Sequence, residues 1–242
     1  MKSHALTDVG VRRSQNQDSV YACDNQIGAL PNLYIVADGM GGELAGDYAS
    51  KRCVEVVTEE VARSEESSPV KSLEQAIQLA NSLIYQEAQQ DPAKYGMGTT
   101  FVAATVEGDH LYVANVGDSR LYVASATKLT QITNDHSVVA ELVRKGQLDE
   151  LHARTDNRKN MITRAIGAEA TVTVDYFDVI LKGQERILLC SDGLTNMVED
   201  RDIYGVLQSS DTLANKAARL VELANNNGGK DNVTAIVIEA EE

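Results

Sequence analysis

Between Thr99 and Thr133 four runs of strand-forming residues, TTFVAATV, HLYVANV, RLYVAS and KLTQIT, follow one another almost without pause. The spacers are Glu107-Gly108-Asp109, Gly117-Asp118-Ser119 and a short turn at Ala126-Thr127. A parallel crossover needs about a dozen residues or more, whereas turns this short join antiparallel neighbours. The middle of the chain therefore reads as a β-meander and not as a doubly wound nucleotide-binding unit.

On either side the hydrophobic period alternates between that of strands and that of helices. Segments 3–8, 19–24 and 33–37 read as strands, with Pro31-Asn32 marking the turn before LYIVA. From about Glu43 to Arg63, Ala49, Cys53, Val56, Val57 and Val61 share one helical face. From Val70 to Gln89, Leu73, Ala76, Ile77, Ala80, Leu83 and Ile84 do the same. After the meander come a short helix near 136–145, a polar segment from Gln147 to Lys159 and strands near 171–181 and 185–190. Helices near 200–208 and 212–226 precede a last strand, NVTAIVIEA. Strands 110–116 and 186–190 are apolar on both alternations, which requires cover on both faces. The expected fold is α+β, a layered sandwich of antiparallel sheet on sheet with helices outside. With three prolines, no Gly/Ser spacer and no repeat, residues 1–242 read as one domain.

The formal net charge of −14 argues against nucleic acid or an anionic membrane as partner, since both demand a basic face. Cysteines 23, 53 and 190 are odd in number and lack CxxC spacing, so neither a disulfide framework nor a zinc knuckle is indicated. The start, MKSHALTDVG, has no apolar core of a secretory signal, and no run approaches the roughly 20 residues of a spanning helix. A cytoplasmic location is expected.

Four aspartates stand where an apolar run meets Gly, Ser or Asn: Asp38 after LYIVA, Asp118 after YVANVG, Asp192 after ILLCS, and Asp231 before NVTAIVI. Any one of them is explained as a turn residue. Four together suggest carboxylates converging at strand ends, where hard divalent cations find rigid oxygen ligands. Uncompensated carboxylates ~4–5 Å apart repel by several kcal/mol at an effective dielectric of about 20, and a cation removes that cost. Mg²⁺ or Mn²⁺ suits such a site better than zinc, because the chain has only four histidines and no HExxH pair. Two such ions sharing a water would lower its pKa toward neutrality, which points to phosphoester hydrolysis. Arg13, five residues before Asp18 in VRRSQNQDS, is the candidate fork for phosphate oxygens. Arg12 beside it would point the other way if the segment is extended.

These residues belong to a larger pattern. TDVGVRRSQNQDS, VADGMGG, GMGTT, ANVGDSR, TNDHS, ITRAIG, CSDGL and GGKDNVT occur in the order and spacing of the metal-dependent Ser/Thr protein phosphatases. The chain resembles this PPM, or type 2C, class in its short bacterial form over nearly its whole length. The resemblance implies a four-layer α-β-β-α sandwich, in agreement with the layered reading. It implies that Asp38 bridges two Mn²⁺ or Mg²⁺ ions, that Asp192 and Asp231 complete one of them, and that the Gly39 carbonyl contributes to the other. Asp18 would hold metal-bound water, with Gln17 and Asn232 beside it beyond the direct ligands, and Arg13 would bind phosphate. Asp118 with Asp192 would hold a third, weaker ion. Thr99 and Thr100 look structural. The segment from about Ser137 to Gly167 corresponds to the family's flap, where Arg154, Arg158 and Lys159 are candidate substrate contacts. Implied partners are phosphoprotein substrates, including a Ser/Thr kinase, and the implied state is a monomer.

The departures matter as well. Some relatives carry histidine after Asp-Gly as a proposed proton donor, whereas Met40 has no proton to give. Gln17 replaces an acidic residue of animal members, and Glu43 stands where many bacterial members have histidine. Among other phosphatase classes, the cysteine-dependent enzymes need Arg six residues after Cys, and positions 29, 59 and 196 are Ala, Glu and Asn. Haloacid-type hydrolases need an Asp-x-Asp pair, and Asp38 is preceded by Val36-Ala37. The non-enzymatic alternative is a phosphoprotein-binding regulator of the same fold with little or no turnover.

Overall fold

The computed structural model of the chain describes residues 1–41, 45–153 and 155–240. Strand β1 (Lys2–Asp8) opens one sheet, and β2 (Asp18–Cys23) and β3 (Leu33–Met40) open the other. Helices α1 (Ala45–Arg63) and α2 (Pro69–Gln90) follow. The meander is β4 (Gly98–Thr99), β5 (Phe101–Glu107), β6 (His110–Val116), β7 (Arg120–Ala124) and β8 (Leu129–Gln131). Then come α3 (Val138–Arg144), α4 (Glu150–Ala153), β9 (Asp175–Ile180) and β10 (Arg186–Cys190). The chain continues through α5 (Asp192–Thr195), α6 (Asp200–Gln208), α7 (Leu213–Asn226) and β11 (Val233–Glu239).

The first sheet runs β1-β11-β10-β7-β8 and the second β2-β3-β5-β6-β9, with β4 paired to β3. Every strand pairing is antiparallel, as the short spacers of the meander require. Three apolar clusters define four layers. Leu33, Ile35, Phe101 and Ala103 pack against Val57, Ile77 and Ile84 of α1 and α2. Their alternate neighbours Tyr34, Val36, Val102 and Ala104 meet Leu121, Val123, Ile187, Leu189 and Ile236 between the sheets. On the far side Leu188, Cys190, Ala235 and Val237 pack against Ile203, Leu207, Leu220 and Val221 of α6 and α7. The period-2 alternation of side chains sends successive residues of β3, β5, β10 and β11 to opposite apolar layers, which is why these strands read as continuous apolar runs.

Local boundaries differ from the sequence reading where distant contacts intervene. Strand β3 does not stop at Ala37 but continues through Asp38 to Met40, because Gly39 and Met40 pair with Thr99 and Gly98 of β4. The strand expected over 171–181 is shorter, Asp175–Ile180. Residues before it are held in irregular form from α2: Asn81 donates to the carbonyls of Glu169 and Ala170 and accepts from Gly167 N–H, and Gln78 donates to the Val172 carbonyl. Helices α4 and α5, each of one turn, carry no apolar period long enough to announce them. The start of the first helix expected at Glu43 lies outside the described residues.

Candidate active site

The cleft lies where the ends of both sheets meet. Antiparallel register puts Asp18 of β2 directly across from Asp38 of β3. The Asp38 backbone is fixed from the end of β4 and the residue after it: its N–H donates to Thr100 Oγ1 at 2.9 Å, and its carbonyl accepts from Thr100 N–H at 2.8 Å and Thr99 Oγ1 at 2.9 Å. Thr100 Oγ1 is in turn 2.8 Å from Ser119 Oγ, which ties Asp38 to the turn bearing Asp118. Both threonine hydroxyls are thus engaged in holding the Asp38 backbone. At Gly39 a Cβ would stand 2.0 Å from the Gly46 carbonyl oxygen, so only glycine allows this approach of backbone to helix α1.

The opposite wall comes from the first sheet. Asp192 opens α5 immediately after β10, and its Oδ2 accepts from Asn196 at 2.8 Å. Asp231 precedes β11; its Oδ1 accepts from the Asn232 N–H at 2.9 Å and its Oδ2 from Arg13 Nη2 at 2.8 Å. A Cβ on Gly193 would fall 1.9 Å from the Asn232 carbonyl oxygen, so the two loops carrying Asp192 and Asp231 are in backbone contact. Asn232 is buried and clamps the N-terminal loop: Oδ1 accepts from Gln17 N–H at 2.8 Å, and Nδ2 donates to the Val9 and Gln15 carbonyls at 2.9 Å each. The N–H groups of Val11 and Arg12 add bonds to the Gly229 carbonyl. This stretch is a turn rather than an extended segment, so the opposed directions expected for Arg12 and Arg13 have no basis in strand geometry.

A cleft of about 230 Å³ results. Arg13, Gln17, Asp38, Gly39, Asp118, Asp192, Asp231 and Asn232 all line it. Asp18 lies just beneath, with Oδ2 accepting from Ser191 at 2.7 Å and Thr234 at 2.6 Å. Burial, with lesser contributions from Asp192 and Asp231, raises its pKa to about 7 against the stabilising hydroxyl bonds. Burial also lifts Asp192 to about 6, followed by the field of Asp231. Asp38 is pushed well above the usual carboxylate range, first by burial and then by Asp18 and Asp192. Asp118 rises for the same first reason, with Asp192 and Asp135 adding and Arg120 opposing. The Arg13 guanidinium is stabilised chiefly by its hydrogen bond to Asp231.

The donor set fits a hard divalent cation. The lining is dominated by carboxylate, amide and backbone oxygens; it includes no cysteine or histidine among the described residues, and its one sulfur is the Met40 thioether, a soft donor ill-suited to such an ion. The buried Oδ1 atoms of Asp18 and Asp192 have no hydrogen-bond partner. Among the described residues no three acidic, His or Cys side chains close on one point as a finished ligand set.

The residues expected in a flap sort differently. Lys159 Nζ donates to Asn196 Oδ1 at 3.3 Å, and its charge favours ionised Asp192. Arg158 instead turns onto Asp156 through Nε and Nη2, away from the cleft lining. Arg154, like Glu43, lies outside the described residues. Asn160 and Ile162 also line the cleft; Ile162 opens the ITRAIG motif, but neither residue was singled out as a site residue. Their placement depends on pairing of Ser137 with Ile162, which periodicity does not encode.

An anionic cleft with a guanidinium at its mouth, at the end of an α-β-β-α sandwich, fits the class of metal-assisted phosphoester hydrolases. Comparison narrows this: the chain belongs to the protein phosphatase 2C family, whose model matches residues 5–233. The serine/threonine phosphatase stp of Listeria innocua is 38% identical over 243 residues, covering 99% of this chain and 96% of its own. The crystal structure of Stp1 from Staphylococcus aureus superposes with a TM-score of 0.93 at 35% identity, covering 100% of this chain and 95% of that one. A catalytic domain of the serine threonine protein phosphatase PstP, solved with two manganese ions, gives 0.84 at 35% identity, covering 98% and 96%.

Proposed function

We propose that this chain hydrolyses phosphoserine and phosphothreonine in proteins with the aid of bound Mn²⁺ or Mg²⁺. The observation that carries the reading is the gathering of Arg13 and four aspartates from both sheets into one cleft. The relatives described as Ser/Thr phosphatases, and the manganese-bound PstP domain, support it. Asp38 would serve two ions, Asp192 and Asp231 one of them, and the Gly39 carbonyl the other; Asp118 with Asp192 would hold a third, weaker ion. When bound, such cations supply a nucleophile at neutral pH by acidifying a water and neutralise phosphoryl oxygens.

The remaining chemistry falls to the side chains. Arg13 exchanges its contact with Asp231 for phosphate oxygens, a fork-shaped donor suited to two of them. Asp18, aligned by Ser191 and Thr234, keeps Oδ1 as an acceptor for water. Gln17 and Asn232 keep the Arg13 loop in register. Met40 supplies no proton, so the leaving alkoxide takes one from a source other than this side chain. We further assign a single catalytic domain over 1–242, with residues 137–167 as flap, acting as a monomer in the cytoplasm and opposing a Ser/Thr kinase. The described residues contain no helix long and apolar enough to cross a membrane.

The test is p-nitrophenyl phosphate hydrolysis with Mn²⁺, with and without chelator. The reading expects metal-dependent release that Asp38→Asn abolishes. No release, as for a binding-only regulator, or full activity in Asp38→Asn, would overturn it.

A further inference from the structure

A second cavity of about 300 Å³ adjoins the cleft. Met40 and Ile162 line both, so the two cavities share these apolar side chains as a common wall. The Cβ that Gly98 lacks would lie 2.8 Å from Met40 Cε, so Met40 lies against the backbone there instead of filling the cleft. Ala165 and Val172 add apolar floor, and Glu169 lines the groove as an exposed residue.

Charge in the groove is one-sided. Arg164 lines it too, but its Nη1 donates to Asp175 Oδ1 at 2.8 Å, so its charge is already matched. Glu169 makes no ion pair or side-chain hydrogen bond among the described residues, and only its backbone carbonyl is engaged, by Asn81. The wall carrying it is held by Asn81 and Gln78 from α2, so the groove is ordered before anything enters. A preformed wall spares a ligand the cost of ordering it.

Resting on the phosphoprotein-hydrolase reading, we propose that this groove takes the substrate segment next to the phosphorylated residue. An apolar side chain lies on the Met40–Val172 floor and a lysine or arginine faces Glu169. The net charge of −14 favours cationic over anionic flanks in the same sense. An extended peptide advances about 3.3 Å per residue, so a side chain within four residues of the phosphothreonine reaches an adjoining groove.

The test uses phosphothreonine peptides of equal length with Lys or Glu at each position within four residues of the phosphate, assayed at low salt with Mn²⁺. At one position the wild-type enzyme should prefer Lys by about two- to fivefold in kcat/KM, the scale of one exposed ion pair. Glu169→Lys should reverse the preference there while leaving p-nitrophenyl phosphate hydrolysis unchanged, and raised salt should flatten it. A preference that Glu169→Lys leaves intact would overturn the groove assignment, as would an equal change with the flankless substrate. Hydrolysis of no substrate at all would instead overturn the underlying phosphatase reading.

Discussion

Asn232 offers the most quantitative check on how the cleft is assembled. Its side chain makes three hydrogen bonds of 2.8–2.9 Å to the backbone of Val9, Gln15 and Gln17, and it is buried. Asn232→Ala removes all three at once and leaves one N–H and two carbonyls without partners. A net intramolecular hydrogen bond is worth about 1 kcal/mol, so the upper figure is about 3 kcal/mol. Water reaches part of this loop, because Val9 is 36% exposed, which lowers the expected loss to about 2–3 kcal/mol. For a chain of this size the melting midpoint shifts by about 2–4 °C per kcal/mol, so a drop of about 4–12 °C is expected. Urea unfolding gives the free energy, and p-nitrophenyl phosphate kinetics should show a raised KM, since the freed loop carries Arg13. A loss below about 0.5 kcal/mol, with KM unchanged, would show that the clamp does not hold the site and would refute the reasoning.

Two further outcomes follow from the electrostatics. Asp18 and Asp192 have folded pKa values raised to about 7 and about 6, above the unfolded carboxylate value of 3.8. Their contribution to stability is full below the unfolded value and is lost as pH rises through about 6 to 7. Mn²⁺ should therefore raise the melting midpoint of chelator-stripped protein more at pH 7.5 than at pH 5.5, and equal shifts would contradict the assignment. Arg13→Ala should cut kcat/KM by about 10- to 100-fold, the value of charged hydrogen bonds. Arg13→Lys should recover only part, because an ammonium cannot fork across two oxygens; full recovery would argue against that geometry.

What could be read from the chain follows the range of the interactions. Antiparallel meander, helices and layered core were legible because side-chain period and turn length are local properties. The rim aspartates were legible as a group, yet Asp38 sits inside β3 because β4 prolongs it, and Asp192 opens a helical turn. The Asn232 clamp joins residues more than 200 positions apart, and no local pattern announces it. Arg158 was expected as a substrate contact in a polar stretch, but its guanidinium is bonded to Asp156 two residues earlier, a pairing that composition does not reveal. Asn160 and Ile162 reached the cleft through the Ser137–Ile162 bridge, a pairing set by tertiary register.

The central claim is that one carboxylate, Asp38, organises the cations on which hydrolysis depends. Calorimetric titration of Mn²⁺ into stripped protein addresses it without reference to turnover. Wild type should bind at least two ions per chain, and Asp38→Asn, still folded by circular dichroism, should weaken both together. Two-site binding left unchanged in Asp38→Asn would contradict the account.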